Sequence, residues 1–186
     1  MATQGKSVGA KDVSGGGTIT GANNGLNVTV DGVAATITLD EGTYTASELA
    51  TQLQSKINGA NALSSAGVAV SVAVNGNALA ITSSRYGSAS SVTVSGGTAK
   101  TDIFGTGADT AGLDVAGSIG GVAATGAGQV LTGAGNADGL RITISGGSLG
   151  ARGNVNFSQG YAYKLDKLVE NFVGTGGVIA ARTDGL

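Results

Sequence analysis

The chain has no cysteine, no histidine, no proline and no tryptophan. Without cysteine there are neither disulfides nor thiolate nucleophiles, and without histidine the usual imidazole base and the common zinc and copper ligand are gone as well. Most enzyme chemistries go with them, so the sequence reads as a non-enzyme without a cofactor. Aromatics number only three phenylalanines and four tyrosines, and 12% of residues are charged, so large core anchors and surface charge are both scarce. The formal net charge of -2 comes without any run of lysine or arginine. That lacks the electrostatic footprint of phosphate binding and argues against nucleic acid as a partner. No stretch approaches the roughly 18 apolar residues of a membrane span. MATQGKSVGAKDV, residues 1–13, lacks the apolar core of a signal peptide. Export would then need a route other than the general secretory one, or a signal on residues outside this sequence.

What is present is small and apolar: 35 glycines and 41% hydrophobic residues in 186. That hydrophobic content is too high for a disordered chain, and the length holds one ordinary domain or two small ones. LNVTVDGVAATITL, residues 26–39, alternates about Asp31-Gly32. A two-residue type I′ turn there pairs Val30 with Val33 and Val28 with Ala35, placing every apolar residue on one face. Thr45 and Glu48 make a capping box ahead of Leu49, Leu53 and Ile57, with Asn58-Gly59 as the stop, which predicts a helix of about three turns. VAVSVAVNGNALAITS predicts a second hairpin, with Asn75-Gly76 setting Val72 against Leu79 and Val70 against Ile81. A short strand is expected around Val92 and Val94. The fold class expected is α+β, mostly β, with antiparallel hairpins and one covering helix.

After Lys100 the chain turns glycine-rich, and Phe104 is the aromatic expected to seal the first module. A boundary is placed near Gly107, with residues 1–13 as a lead-in segment and 14–106 as the module. GLRITISG and GNVNFSQ are expected strands, GQVLTG a third, so 107–157 read as a smaller, partial β-rich domain. Residues 158–186 are expected to be helical at first. Tyr161, Leu165, Leu168 and Phe172 recur at spacings of four, three and four, a seam that wants a partner helix.

Other candidate sites weigh less. GTGADTAG and GAGNADG lack the Gly-Lys-Ser/Thr ending and the strand-to-helix setting of phosphate loops, and read as turns. One copy of GAGNADG, with Asn136 and Asp138, falls short of the six or more oxygens that calcium takes. Asp40 and Glu41 are adjacent in a segment leading to a helix cap, and read as solvated turn residues. Arg85-Tyr86, and Tyr161 with Tyr163, are alternatives for sugar stacking, against strand-end rim and helix seam.

GSIGGVAATGAGQVLTGAGNADGLRITISGG, then RGNVNFSQGYAYKLDKLVENF and GGVIAARTDGL, together residues 117–186, resemble the later half of the flagellar hook-associated protein 2 family, the bacterial filament-capping proteins. NNGLNVTVDGVAATITL through SSRYGSASSVTVS resembles the insertion motif shared by hook-associated proteins and flagellins. The resemblance implies that 14–106 is an insertion-motif module, 107–157 part of a β-rich plate domain and 158–186 the start of a helical leg. It implies a secreted structural protein at the flagellar tip, exported by the flagellar apparatus. Its implied partners are flagellin, its own copies in a homo-oligomeric cap and, for adhesion, host mucin or glycans. The alternatives are a flagellin-like filament subunit and a surface adhesin. The final helix is expected to be the beginning of a leg whose partner arm is absent from this sequence, with GTGG from Gly174 as a hinge.

Overall fold

The computed structural model describes residues 1–174, 177 and 179. It is α+β and mostly β, as expected, with antiparallel sheets and a helix near the C-terminus. The chain divides into two compact units, Met1–Leu149 and Gly150–Leu186.

In the first unit the two hairpins read from the sequence belong to two different sheets. Strands β3 (Gly25–Val30) and β4 (Val33–Thr38) form the first hairpin, and β8 (Val92–Gly96) pairs on the other side of β3. The register is the expected one, Val30 opposite Val33 and Val28 opposite Ala35. Asp31 and Gly32 take φ of 50° and 85°, as a type I′ turn requires. Strands β6 (Val70–Asn75) and β7 (Ala78–Tyr86) form the second hairpin, with a register two residues away from the expected one. Val72 lies opposite Ile81 and Val74 opposite Leu79, so the turn residues are Gly76 and Asn77. Only Gly76 of the two has positive φ, at 64°, which suits a type II′ turn with glycine first. A shift of two preserves side-chain facing, which is why alternation alone cannot distinguish the two registers.

The sheet built on this hairpin has the order β6-β7-β1-β9, with β1 (Gln4–Val8) and β9 (Ala108–Thr110) drawn from outside residues 14–106. This corrects the reading of residues 1–13 as a lead-in. β1 lies between two partners, and its inward residues are Gly5 and Ser7, both buried. A strand that buries glycine and serine shows no hydrophobic alternation, so periodicity misses it. The Ser7 hydroxyl is satisfied by donating to Asp109. β9 likewise lies beyond the boundary placed near Gly107.

A two-stranded ribbon, β2 (Gly17–Ile19) with β5 (Gly42–Tyr44), leads into α1 (Ala46–Gly59). The capping box is complete: Thr45 Oγ1 accepts from the Glu48 N–H, and the Thr45 N–H donates to Glu48 Oε2 at 2.8 Å. α1 buries Leu49, Ala50, Leu53 and Ile57, each large side chain contributing about 1.5–3 kcal/mol of apolar burial. A short helix not foreseen from the sequence, α2 (Asn61–Ser65), adds Leu63. These residues join Leu26, Val28 and Ile37 from one sheet and Val70, Leu79 and Ile81 from the other in one core. Phe104, fully buried at the end of a π-helical turn, Lys100–Phe104, completes it as expected.

The fourth sheet is a meander in the order β10 (Gly117–Ile119), β11 (Val122–Ala127), β12 (Val130–Thr132), β13 (Arg141–Thr143). GQVLTG and GLRITISG supply β12 and β13, as expected. β10 and β11 turn on Gly120-Gly121, with φ of 60° and 82° and Ile119 opposite Val122. That signal lay in the sequence, obscured by the surrounding glycines. GNVNFSQ forms no strand, which corrects that expectation; Val155 and Phe157 are exposed. Two apolar residues with no ladder partner and no covered face cannot offset the entropy of ordering a strand.

Candidate interaction surface

In the second unit, α3 (Tyr161–Val173) begins where the sequence placed it, with Gly160 as its N-cap. No residue of α3 is buried. Tyr161, Leu165, Leu168 and Phe172 are 93%, 61%, 52% and 45% exposed, and Val169 and Val173 widen the stripe. Both valines continue the same helical spacing, four residues on from Leu165 and from Val169. The polar side is held by local pairs. Lys167 Nζ donates to Glu170 Oε2 at 2.7 Å and stands 5.8 Å from the Tyr163 ring centre. The hydrogen bond to Glu170 raises the Lys167 pKa, aided by that carboxylate's charge. The hinge expected at GTGG and the segment after it lie, apart from Gly174, Gly177 and Ile179, outside the described residues.

A second feature, in the first unit, is an open depression of about 400 Å³ lined by Asp31, residues 66–69, Ser84 and Arg85. Its carboxylate is committed elsewhere. Asp31 Oδ2 accepts from the Ser83 hydroxyl and Oδ1 from the Ser91 N–H, both at 2.9 Å. The turn of the first hairpin is thereby tied to β7 of the other sheet, with Ser83 fully buried. The local sequence marks Asp31 only as a turn former, because its partners lie 52 and 60 residues away. Arg85 and Tyr86 lie at the exposed end of β7, where the register with β1 is interrupted between the Lys6–Thr82 and Gln4–Tyr86 pairs.

The remaining candidates are structural. Asp40 pairs with Lys56, while the backbone carbonyls of Asp40 and Glu41 accept from the Tyr44 hydroxyl. Within GTGADTAG, Asp109 accepts from the Ser7 and Thr93 hydroxyls, which links β9 to two sheets. GAGNADG forms a short 3-10 turn, Gly135–Ala137. Asp114 accepts from the Ser88 N–H at 3.1 Å and the Gly128 N–H at 2.6 Å. Hydrogen bonding from Ser88 and Gly128 lowers its pKa. Among the described residues no three Asp, Glu, His or Cys side chains gather as a metal set. No helix among them is long and apolar enough to cross a membrane.

Of all these, the α3 stripe alone joins a large apolar area to an absence of burial, the combination that marks a contact surface. Comparison of the chain with known protein families, curated proteins and solved structures finds no match.

Proposed function

We propose that the protein is a structural component of the bacterial flagellar filament cap. In this reading it acts outside the cell at the growing tip, in a homo-oligomer that holds arriving flagellin and promotes its polymerisation. The observation that carries the reading is the exposed stripe of α3. A thirteen-residue helix with an apolar face is marginal alone in water and is stabilised by burying that face. A helical leg is a place where a second helix does so. The reading is further supported by the family order of the segments through residues 117–186, and by a chemistry of shape and assembly that needs no reactive side chain.

The experiment is genetic and structural together. Deleting the encoding gene is expected to leave short or absent filaments and flagellin released into the medium. Labelled protein is expected at filament tips. The double substitution Leu165→Asp, Leu168→Asp should fail to restore filaments while the first unit melts as in the parent. Normal filaments in the deletion strain, or label along the whole filament length, would overturn the proposal. The second outcome would point to a filament subunit.

A further inference from the structure

We propose that Asn75 is a site of spontaneous deamidation, selected by the fold from three Asn-Gly pairs. The pairs are Asn24-Gly25, Asn58-Gly59 and Asn75-Gly76. In each, the following backbone nitrogen can attack the asparagine Cγ. The new C–N bond closes a five-membered imide and ammonia leaves. Water then opens the imide at either carbonyl, giving aspartate or isoaspartate, so one water is consumed and one ammonia released. The reaction needs a following residue without a Cβ in the way, a free N–H and a side chain at liberty to turn.

Two of the pairs fail those conditions. At Asn24 the attacking nitrogen is engaged, since the Gly25 N–H donates to Thr98 Oγ1 at 3.0 Å. At Asn58 the side chain is held by both ends. Its Nδ2 donates to the Val70 carbonyl at 2.9 Å, its Oδ1 accepts from the Val70 N–H at 2.8 Å, and the pair closes α1.

Asn75 meets all three. It is exposed and ends β6, and Gly76 is the first turn residue, with φ of 64° and nothing within 4 Å of where a Cβ would stand. Among the described residues the Gly76 N–H makes no backbone hydrogen bond. The site is consequential, because Asn77, in the same turn, accepts from the Val13 N–H at 2.8 Å and donates to Asp12 at 3.3 Å. Isoaspartate at 75 puts an extra backbone carbon beside the Asn75–Ala78 pair and a new charge near Asp12. Both effects loosen the tether of buried Val13.

The test incubates the whole folded protein at mildly alkaline pH, with and without denaturant, and follows each asparagine by digestion and mass spectrometry. In the folded protein, residue 75 should convert at least about fivefold faster than 24 or 58, the ratio set by one net hydrogen bond. In denaturant the three rates should draw together. Amide exchange at Val13 should quicken as residue 75 converts, and Asn75→Gln should abolish the change. Asn24 or Asn58 keeping pace in the folded protein would overturn the inference. So would an unchanged ranking in denaturant, which would give the choice to local sequence and not to the fold.

Discussion

α1 and α3 are nearly the same object in sequence and opposite objects in the folded chain. They have 14 and 13 residues, and each carries an apolar stripe at helical spacing. α1 has a capping box and buries four residues, whereas α3 starts at a glycine with no side-chain cap and buries none. An amphipathic pattern says which face is apolar; it does not say what covers that face. Where sheet strands close over the stripe, the helix becomes core. Where nothing does, it becomes a surface that invites a partner.

The largest test of that contrast exchanges a stripe leucine for aspartate in each helix. Leu53→Asp puts an unpaired carboxylate at a position that is 0% exposed, and should cost more than about 4 kcal/mol and unfold the first unit. Leu168→Asp, at an exposed position, should change the melting of that unit by less than about 0.5 kcal/mol. Thermal denaturation followed by circular dichroism compares the two. Equal effects would erase the distinction between the helices.

A smaller effect is expected at the edge of β6, where α1 lends polar side chains to a strand. Asn58 satisfies both backbone groups of Val70, and Gln54 Oε1 accepts from the Val72 N–H at 2.8 Å. Asn58→Ala should cost about 1–3 kcal/mol by leaving partly buried groups unpaired. Asn171→Ala, on exposed α3, should be near neutral. Urea titration with an unchanged slope would confirm that stability alone has moved. Smaller again is the cap: Thr45→Ala should cost about 1 kcal/mol, read from the same titration. No counterpart exists at Gly160.

The smallest effects are those of pH, and they differ in sign. The Thr45 N–H and hydroxyl lower the Glu48 pKa from 4.5. Its contribution is therefore present above 4.5 and is lost as pH falls through the lowered folded value. Lys167 is raised above 10.5 by the Glu170 hydrogen bond, so its contribution is present below 10.5 and lost as pH rises through the raised value. Glu48→Gln should flatten the acid side of the first unit's stability profile. Glu170→Gln should lower α3 helicity at neutral pH and flatten its alkaline decline. Changes on the wrong side would show that the hydrogen bonds do not set these titrations.

Local chemistry was legible wherever the determining residues are close in sequence. The turn at Asp31-Gly32, the Thr45–Glu48 box, the stripe of α1 and the start of α3 all depend on contacts within a few residues, so propensity and spacing specify them. The second hairpin marks the limit, since Asn-Gly and Gly-Asn both make credible two-residue turns and both keep Val70 and Val72 facing as they do. Packing against the other strands selects between them.

The rest was decided by tertiary structure because its determinants lie far apart in the chain. β1 enters the middle of a sheet by burying Gly5 and Ser7, which announces nothing locally, and it depends on Asp109 for its hydroxyl partner. Asp31 joins two sheets through Ser83 and Ser91. The sequence by itself determined which faces are apolar, because side-chain periodicity follows from backbone geometry. Only the fold decided that the stripe of α1 is covered and that of α3 is exposed, because burial is a property of what the rest of the chain places against a face.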